Sequence, residues 1–268
     1  MTQPEPPITA AWPIRRYSGD TWVEADDIVV AEYPLTLYVN DSEFATIVCT
    51  PADLESMVVG FLASEGVIRT TADLAQLLVD EEEGRAYVDL HHRSALDPAL
   101  FTKRRIASCC GKSRQSFYFH ADAQTARPLA PEAGPRLSAA ACYALMRGLH
   151  AASHVHRDTG GVHQAALADG GTLVAAFADI GRHNALDKLY GHCLRTGLST
   201  ADKTIVFSGR LASEVVLKAV KIGAAVLLSK SAPTDLALQL ADELGLTAVG
   251  FLRGSGMNVY THAHRIVE

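Results

Sequence analysis

Apolar positions along the chain switch between two periods. Runs rich in β-branched and aromatic residues at Trp22–Val30, Leu35–Val39 and Phe44–Cys49 predict strands. Asn40-Asp41-Ser42 between the last two is a turn signal. The period then changes. Leu54, Met57, Val58, Phe61 and Leu62 recur at helical spacing, and Gly66 can end that helix. Thr50 reads as its N-cap and Pro51 as its first residue, with Asp53 and Glu55 toward the positive end of the dipole. Leu74–Val79 and Arg85–Leu90 are predicted strands across the acidic turn 80–84.

Residues 97–120 form a connecting region, and 121–137, with three prolines and no period, read as a linker. Regularity returns at Ser138, which caps a helix carrying Cys142, Leu145, Met146 and Leu149 on one face. Val162–Ala168 and Thr172–Ala178 are strands of a hairpin turned at Asp169-Gly170-Gly171. Helices over His183–Arg195, Leu211–Ile222 and Pro233–Leu244 then alternate with strands at Thr204–Phe207, Ala225–Leu228 and Thr247–Leu252. Val259–Thr261 adds a short edge strand. Such alternation predicts an α/β fold with a mostly parallel sheet.

The 268 residues carry a net charge of -6, with 48% hydrophobic and 20% charged residues. That balance excludes disorder, collagen-like repeats and coiled coils, and argues against a nucleic-acid partner. No apolar run approaches the roughly 18–20 residues of a membrane span, so no membrane is expected. The start, Met1 to Pro7, has no cationic, apolar leader and reads as a Pro-rich tail. An odd count of cysteines (Cys49, Cys109, Cys110, Cys142, Cys193) points to a cytoplasmic protein with free thiols.

Four predicted strand ends each deliver a cation: Arg182, Arg210, Lys230 and Arg253. Three of these lie next to glycine, where backbone N–H groups can approach a ligand, and arginine grips phosphate oxygens with two prongs. Ligands of open α/β sheets bind at the carboxyl ends of strands. The set therefore predicts a pocket for a polyanion, a pyrophosphate or nucleotide, although Gly-x-Gly-x-x-Gly and Walker-type fingerprints are absent.

The segment Lys103–Arg114 carries five cations around Cys109 and Cys110, with no acid between Asp97 and Asp122. That field favours a thiolate. Gly111 leaves the thiol approachable, whereas Cys49, Cys142 and Cys193 read as small buried hydrophobes. No zinc spacing follows the cysteine pair, so no metal site is predicted. A zinc deaminase would need a His-x-Glu motif and a Pro-Cys-x-x-Cys, and neither occurs. His163 and His183 open a strand and a helix, where either can meet a ligand.

Seven segments in order carry a resemblance to a known family: Pro34–Asn40, Gly60–Gly66, Thr159–His163, Gly181–Lys188, Ser208–Arg210, Ser231–Thr234 and Gly250–Arg253. Together the chain resembles the formate dehydrogenase accessory sulfurtransferases, FdhD. The resemblance implies an enzyme that takes sulfane sulfur from a cysteine desulfurase as a cysteine persulfide. It implies delivery of that sulfur to the molybdenum cofactor, bis-molybdopterin guanine dinucleotide, of formate dehydrogenase. It further implies a cytoplasmic homodimer with a cytidine deaminase-like C-terminal domain, 121–268, that binds the cofactor. A smaller N-terminal α/β domain, 1–120, would end in the cysteine loop. By position the persulfide falls on Cys110, beside Cys109; a second cysteine that many members carry three residues on is Ser113 here. The cofactor-binding stretch falls on Phe251, Leu252, Arg253, Gly254, Ser255 and Gly256. Arg182, His183, Ser208, Arg210 and Lys230 join it as the strand-end set. A non-catalytic cofactor-binding chaperone is the competing expectation.

Overall fold

The computed structural model describes residues 6–92, 104–106, 126–130 and 132–268. The chain opens with a hairpin, β1 (Thr9–Ser18) and β2 (Thr21–Val30), turned at Gly19-Asp20 with both φ angles positive. A strand over 22–30 was expected. Its partner was not, because Pro13 and the Arg15-Arg16 pair interrupt the β-rich pattern. Proline is tolerated here because β1 has a free edge.

Five strands form the next sheet: β3 (Tyr33–Val39), β4 (Ser42–Cys49), β5 (Leu74–Asp80), β6 (Arg85–Leu90) and β7 (Arg104–Ile106), in the order β5-β6-β3-β4-β7. Alternate residues Leu35, Leu37, Val39, Ala45, Ile47, Cys49, Ala86 and Val88 bury one face against helix α1 (Leu54–Ser64). That helix begins three residues later than its sequence signals indicate. Asp53, not Thr50, stands at the N-cap, in left-handed backbone, and Pro51 precedes the helix. Thr50 is withdrawn from capping because both its hydroxyl and its N–H bond to Asp179, far along the chain.

After β8 (Leu137–Ser138), helix α2 (Ala139–Ala152) starts at Ser138, whose hydroxyl accepts the Ala141 N–H as expected. A short helix α3 (His154–Thr159) leads to β9 (His163–Asp169) and β10 (Thr172–Asp179). Helix α4 (Arg182–Thr196), β11 (Thr204–Phe207), α5 (Ser213–Ile222), β12 (Val226–Ser229), α6 (Asp235–Glu243), β13 (Thr247–Arg253) and β14 (Gly256–Val259) follow. β15 (Ile266–Val267) pairs with β8. The larger sheet runs β10-β9-β11-β12-β13-β14. It is mixed, not mostly parallel: only β11–β12 and β12–β13 run parallel. A parallel pair needs a crossover, and α5 and α6 supply them. The tight turns at 169–172 and 253–256 return the chain antiparallel instead.

The sheet is the middle of three layers. Ala166, Ala168, Val206, Val226, Leu228 and Val249 face α2, while Ala165, Leu167, Ile205, Phe207, Leu227 and Ala248 face α4, α5 and α6. The period of two along each strand produces this division. The stretch expected to be a linker is held to this body. Leu129 donates its N–H to the Leu244 carbonyl (2.9 Å), and buried Arg265 donates to the Ala133 carbonyl (2.6 Å).

α1 also packs against α4, so it lies between the five-stranded sheet and the second layer. That explains why it is buried on nearly every side. Two glycines permit the crossing. A Cβ on Gly60 would stand 1.8 Å from the Asp187 carbonyl oxygen, and one on Gly191 would stand 1.9 Å from the Ser56 carbonyl oxygen. Both obstacles are backbone. No helix among the described residues is long and apolar enough to cross a membrane. Gly191→Ala is expected to lower unfolding free energy by about 3 kcal/mol in urea titrations. Gly171→Ala, where nothing lies within 4 Å, should be near neutral.

Candidate functional site

The strand directions decide where the predicted cations stand. β10, β11, β12 and β13 all point the same way, because β9 runs antiparallel between β10 and β11. Arg182, Arg210, Lys230 and Arg253 therefore emerge on one edge of the sheet. His163, first residue of β9 and register partner of Asp179, is on that edge too.

The turns on this edge are bonded to one another. The Ser208 N–H donates to the Gln164 carbonyl (3.0 Å), and the Gln164 N–H donates to the Ser208 hydroxyl (2.8 Å). The Ser231 hydroxyl donates to the Ser208 carbonyl (3.1 Å), and the Ser229 hydroxyl donates to the Gly209 carbonyl (2.7 Å). The Phe251 N–H reaches the Ser231 carbonyl (3.1 Å), so the end of β13 is tied to the turn after β12. Close approach requires small residues. A Cβ on Gly209 would lie 2.8 Å from the Phe207 ring, and one on Gly250 would lie 3.0 Å from the Ser231 carbonyl oxygen. Phe251 holds a left-handed φ of 51°, a strained value for an aromatic residue, and the Arg253 guanidinium sits 5.4 Å from its ring centroid.

Of the predicted residues, Ser208 and Leu252 are buried, Arg182, His183, Lys230 and Phe251 are half-buried, and Arg210, Arg253, Gly254, Ser255 and Gly256 are exposed. His183 contacts Glu214 at 3.3 Å, which gives it a partner on α5. Arg182 and Lys230 act electrostatically on His163. Burial first, then these two cations, hold its imidazole below the ordinary value. Cys109 and Cys110 lie outside the described residues.

Sequence reasoning missed what fixes this edge. Asp179 ends β10 fully buried, and its carboxylate accepts from Lys188 Nζ (2.8 Å), the Thr50 N–H (2.9 Å), the Gly181 N–H (2.8 Å) and Asn184 Nδ2 (2.8 Å). Lys188 also donates to the Thr50 hydroxyl (2.7 Å). A second buried pair, Lys218 with Asp187, takes in the Ser64 hydroxyl of α1. Burial pushes the Asp187 carboxyl up, against the pull of Lys218 and Ser64. One signal was available: Asn184, Lys188 and Gly191 recur at helical spacing along an otherwise apolar side.

Beside Gln164 is a cavity of about 150 Å³, bordered by Thr50, Asp53, Ser153, Val162, Phe177 and Ala178. It adjoins the cationic edge through Gln164, whose side-chain oxygen is buried without a hydrogen-bond partner. None of the predicted site residues lines it.

The FdhD/NarQ family profile matches residues 30–267. The chain belongs to the FdhD/NarQ family. It is 52% identical over 261 residues to the sulfur carrier protein FdhD of Bacillus subtilis, covering 97% of this chain and 98% of the relative. It is 55% identical to the sulfur carrier protein FdhD of Geobacillus kaustophilus, covering 95% and 96%. The fold matches a crystal structure of a candidate formate dehydrogenase accessory protein from Desulfotalea psychrophila. The TM-score is 0.79 at 27% identity, over 97% of this chain and all of the other.

Membership in a family of sulfur carriers directs attention to the thiols. Cys49, Cys142 and Cys193 are free and buried, as expected. Burial pushes the Cys49 thiol up to about 12, and Cys142 and Cys193 up to about 11. None is a thiolate at neutral pH. Iodoacetamide at about pH 8 should leave these three unmodified in the native protein and alkylate them in urea, read by peptide mass spectrometry.

Proposed function

We propose that this protein is a sulfur carrier of formate dehydrogenase maturation. It accepts sulfane sulfur from a cysteine desulfurase as a persulfide on Cys110 and delivers it to the molybdenum cofactor. The observation that carries this reading is the near full-length similarity to proteins named as sulfur carriers, joined to the burial of three of the five thiols. The remaining thiols, Cys109 and Cys110, belong to the most cationic segment of the sequence. Loading is a thiol exchange. The Cys110 thiolate attacks the terminal sulfur of the donor persulfide, the donor S–S bond breaks, and the donor cysteine leaves as thiolate while the Cys110 persulfide forms. Lys103, Arg104, Arg105, Lys112 and Arg114 favour the anion before and after transfer.

The cargo is read as bis-molybdopterin guanine dinucleotide. Its pyrophosphates suit an edge where Arg182, Arg210, Lys230 and Arg253 follow four codirectional strands and where three helices begin. We read residues 121–268 as a cytidine deaminase-like cofactor-binding domain and 1–120 as the smaller domain that ends in the cysteine loop. The three-layer arrangement around the mixed sheet supports the first part of that reading. The working unit in this account is a cytoplasmic homodimer that meets the desulfurase and formate dehydrogenase in turn.

Incubation with a cysteine desulfurase and cysteine should make the protein one sulfur atom heavier, reversibly with reductant, at Cys110. Cys110→Ser should abolish loading and dehydrogenase activation, with guanine-nucleotide binding retained. Normal activation by Cys110→Ser would overturn the carrier reading and leave a cofactor-binding chaperone.

A further inference from the structure

Three imidazoles that the sequence analysis did not join stand together beside the cationic edge. His150 of α2 and His156 of α3 stack with ring centroids 5.6 Å apart and planes 28° apart. His163 of β9 presents Nδ1 to the Ser208 hydroxyl at 3.5 Å. All three are half-buried. We infer that His150 and His163, flanked by His156, form the proton-accepting part of the anion site, so that a bound pyrophosphate is held with uptake of protons by these two rings. The inference rests on the proposed cofactor-binding edge and specifies how that edge is regulated.

Arg182 at the start of α4, Lys230 after β12, His156 on α3 and Asp179 at the end of β10 all act electrostatically on His163. Lys230 and His156 act on His150, which stacks on His156. Asp179 favours the charged form of His163, but its effect is outweighed by burial and by Arg182, Lys230 and His156. Burial first, and the neighbouring cations second, hold His150 and His163 below the ordinary imidazole value. A dianion placed among them reverses that balance, and each ring gains a partner for its charged form. His156 is fixed next to His163 by its own bond: its Nδ1 donates to the Val162 carbonyl oxygen at 3.2 Å.

The sign follows from linkage. A group whose pKa rises on binding takes up a proton, and affinity then grows as pH falls through the interval between its free and bound values. The site therefore holds its cargo more tightly in mildly acidic solution and releases it as pH rises. The probe is diguanosine pyrophosphate, whose diester phosphates stay dianionic between about pH 5.5 and 8, so the ligand itself contributes no proton. Titration calorimetry in two buffers of different ionisation enthalpy counts protons taken up at about pH 7.

The expected result is net uptake, with affinity rising a few-fold from pH 8 to pH 6 and approaching the roughly tenfold limit of a one-unit rise of one pKa only at lower pH. His163→Gln and His150→Gln should each reduce the uptake and flatten the pH profile while binding persists. Binding with no proton uptake, or uptake unchanged in both variants, overturns the inference and leaves the cofactor edge standing. Absence of binding at every pH overturns both. Wild-type protein alone decides the first question, whatever the variants do to folding.

Discussion

Asp179 carries a carboxylate wholly out of water at the end of a central-sheet strand, and the protein's architecture turns on how it is satisfied. Lys188 supplies the counter-charge, Gly181 and Asn184 fix the start of α4, and Thr50 brings in the other half of the chain. Breaking one partner of such a pair leaves an uncompensated buried charge, a cost of about 3–5 kcal/mol. The glycine crossing of α1 and α4 is the steric counterpart, since it lets backbones meet where side chains would not fit. Together they lock the five-stranded sheet to the larger one. They also fix the point at which Arg182 and His183 leave the sheet.

That anchor gives the cationic edge its shape. A chain with net charge -6 concentrates Arg182, Arg210, Lys230 and Arg253 on one edge because codirectional strands deliver them there. Serine and glycine turns, hydrogen-bonded across neighbouring strands, hold the intervening backbone close. Cys49, Cys142 and Cys193 are buried deep enough to stay protonated at neutral pH.

Most elements were legible because each carried a local signal. The strand over Thr204–Phe207 and the cap at Ser138 depend on neighbours in sequence, and the structure agrees with both. The strand-end cations were legible for a similar reason, since each lies within a few residues of the end of an apolar run. What failed depended on distant residues. Thr50 has the chemistry of a cap, but Asp179, 129 positions away, takes its hydroxyl and its N–H. Sheet direction was misjudged because two short hairpin turns outweighed the alternation of strands and helices. The buried pairs on α4 were hidden because Asp187 and Lys188 resemble ordinary surface charges until the packing of α1 is known. The meeting of His150, His156 and His163 likewise needs three elements to converge.

The central claim is that the carboxyl edge of the larger sheet holds the guanine-dinucleotide cargo. Hydrogen–deuterium exchange with and without diguanosine pyrophosphate tests it most directly, because bound phosphates protect the backbone N–H groups they accept from. The account predicts slower exchange in the turns at 208–212, 229–233 and 251–256. Unchanged exchange in all three turns at saturating ligand, or protection confined to the β1–β2 hairpin, would contradict it.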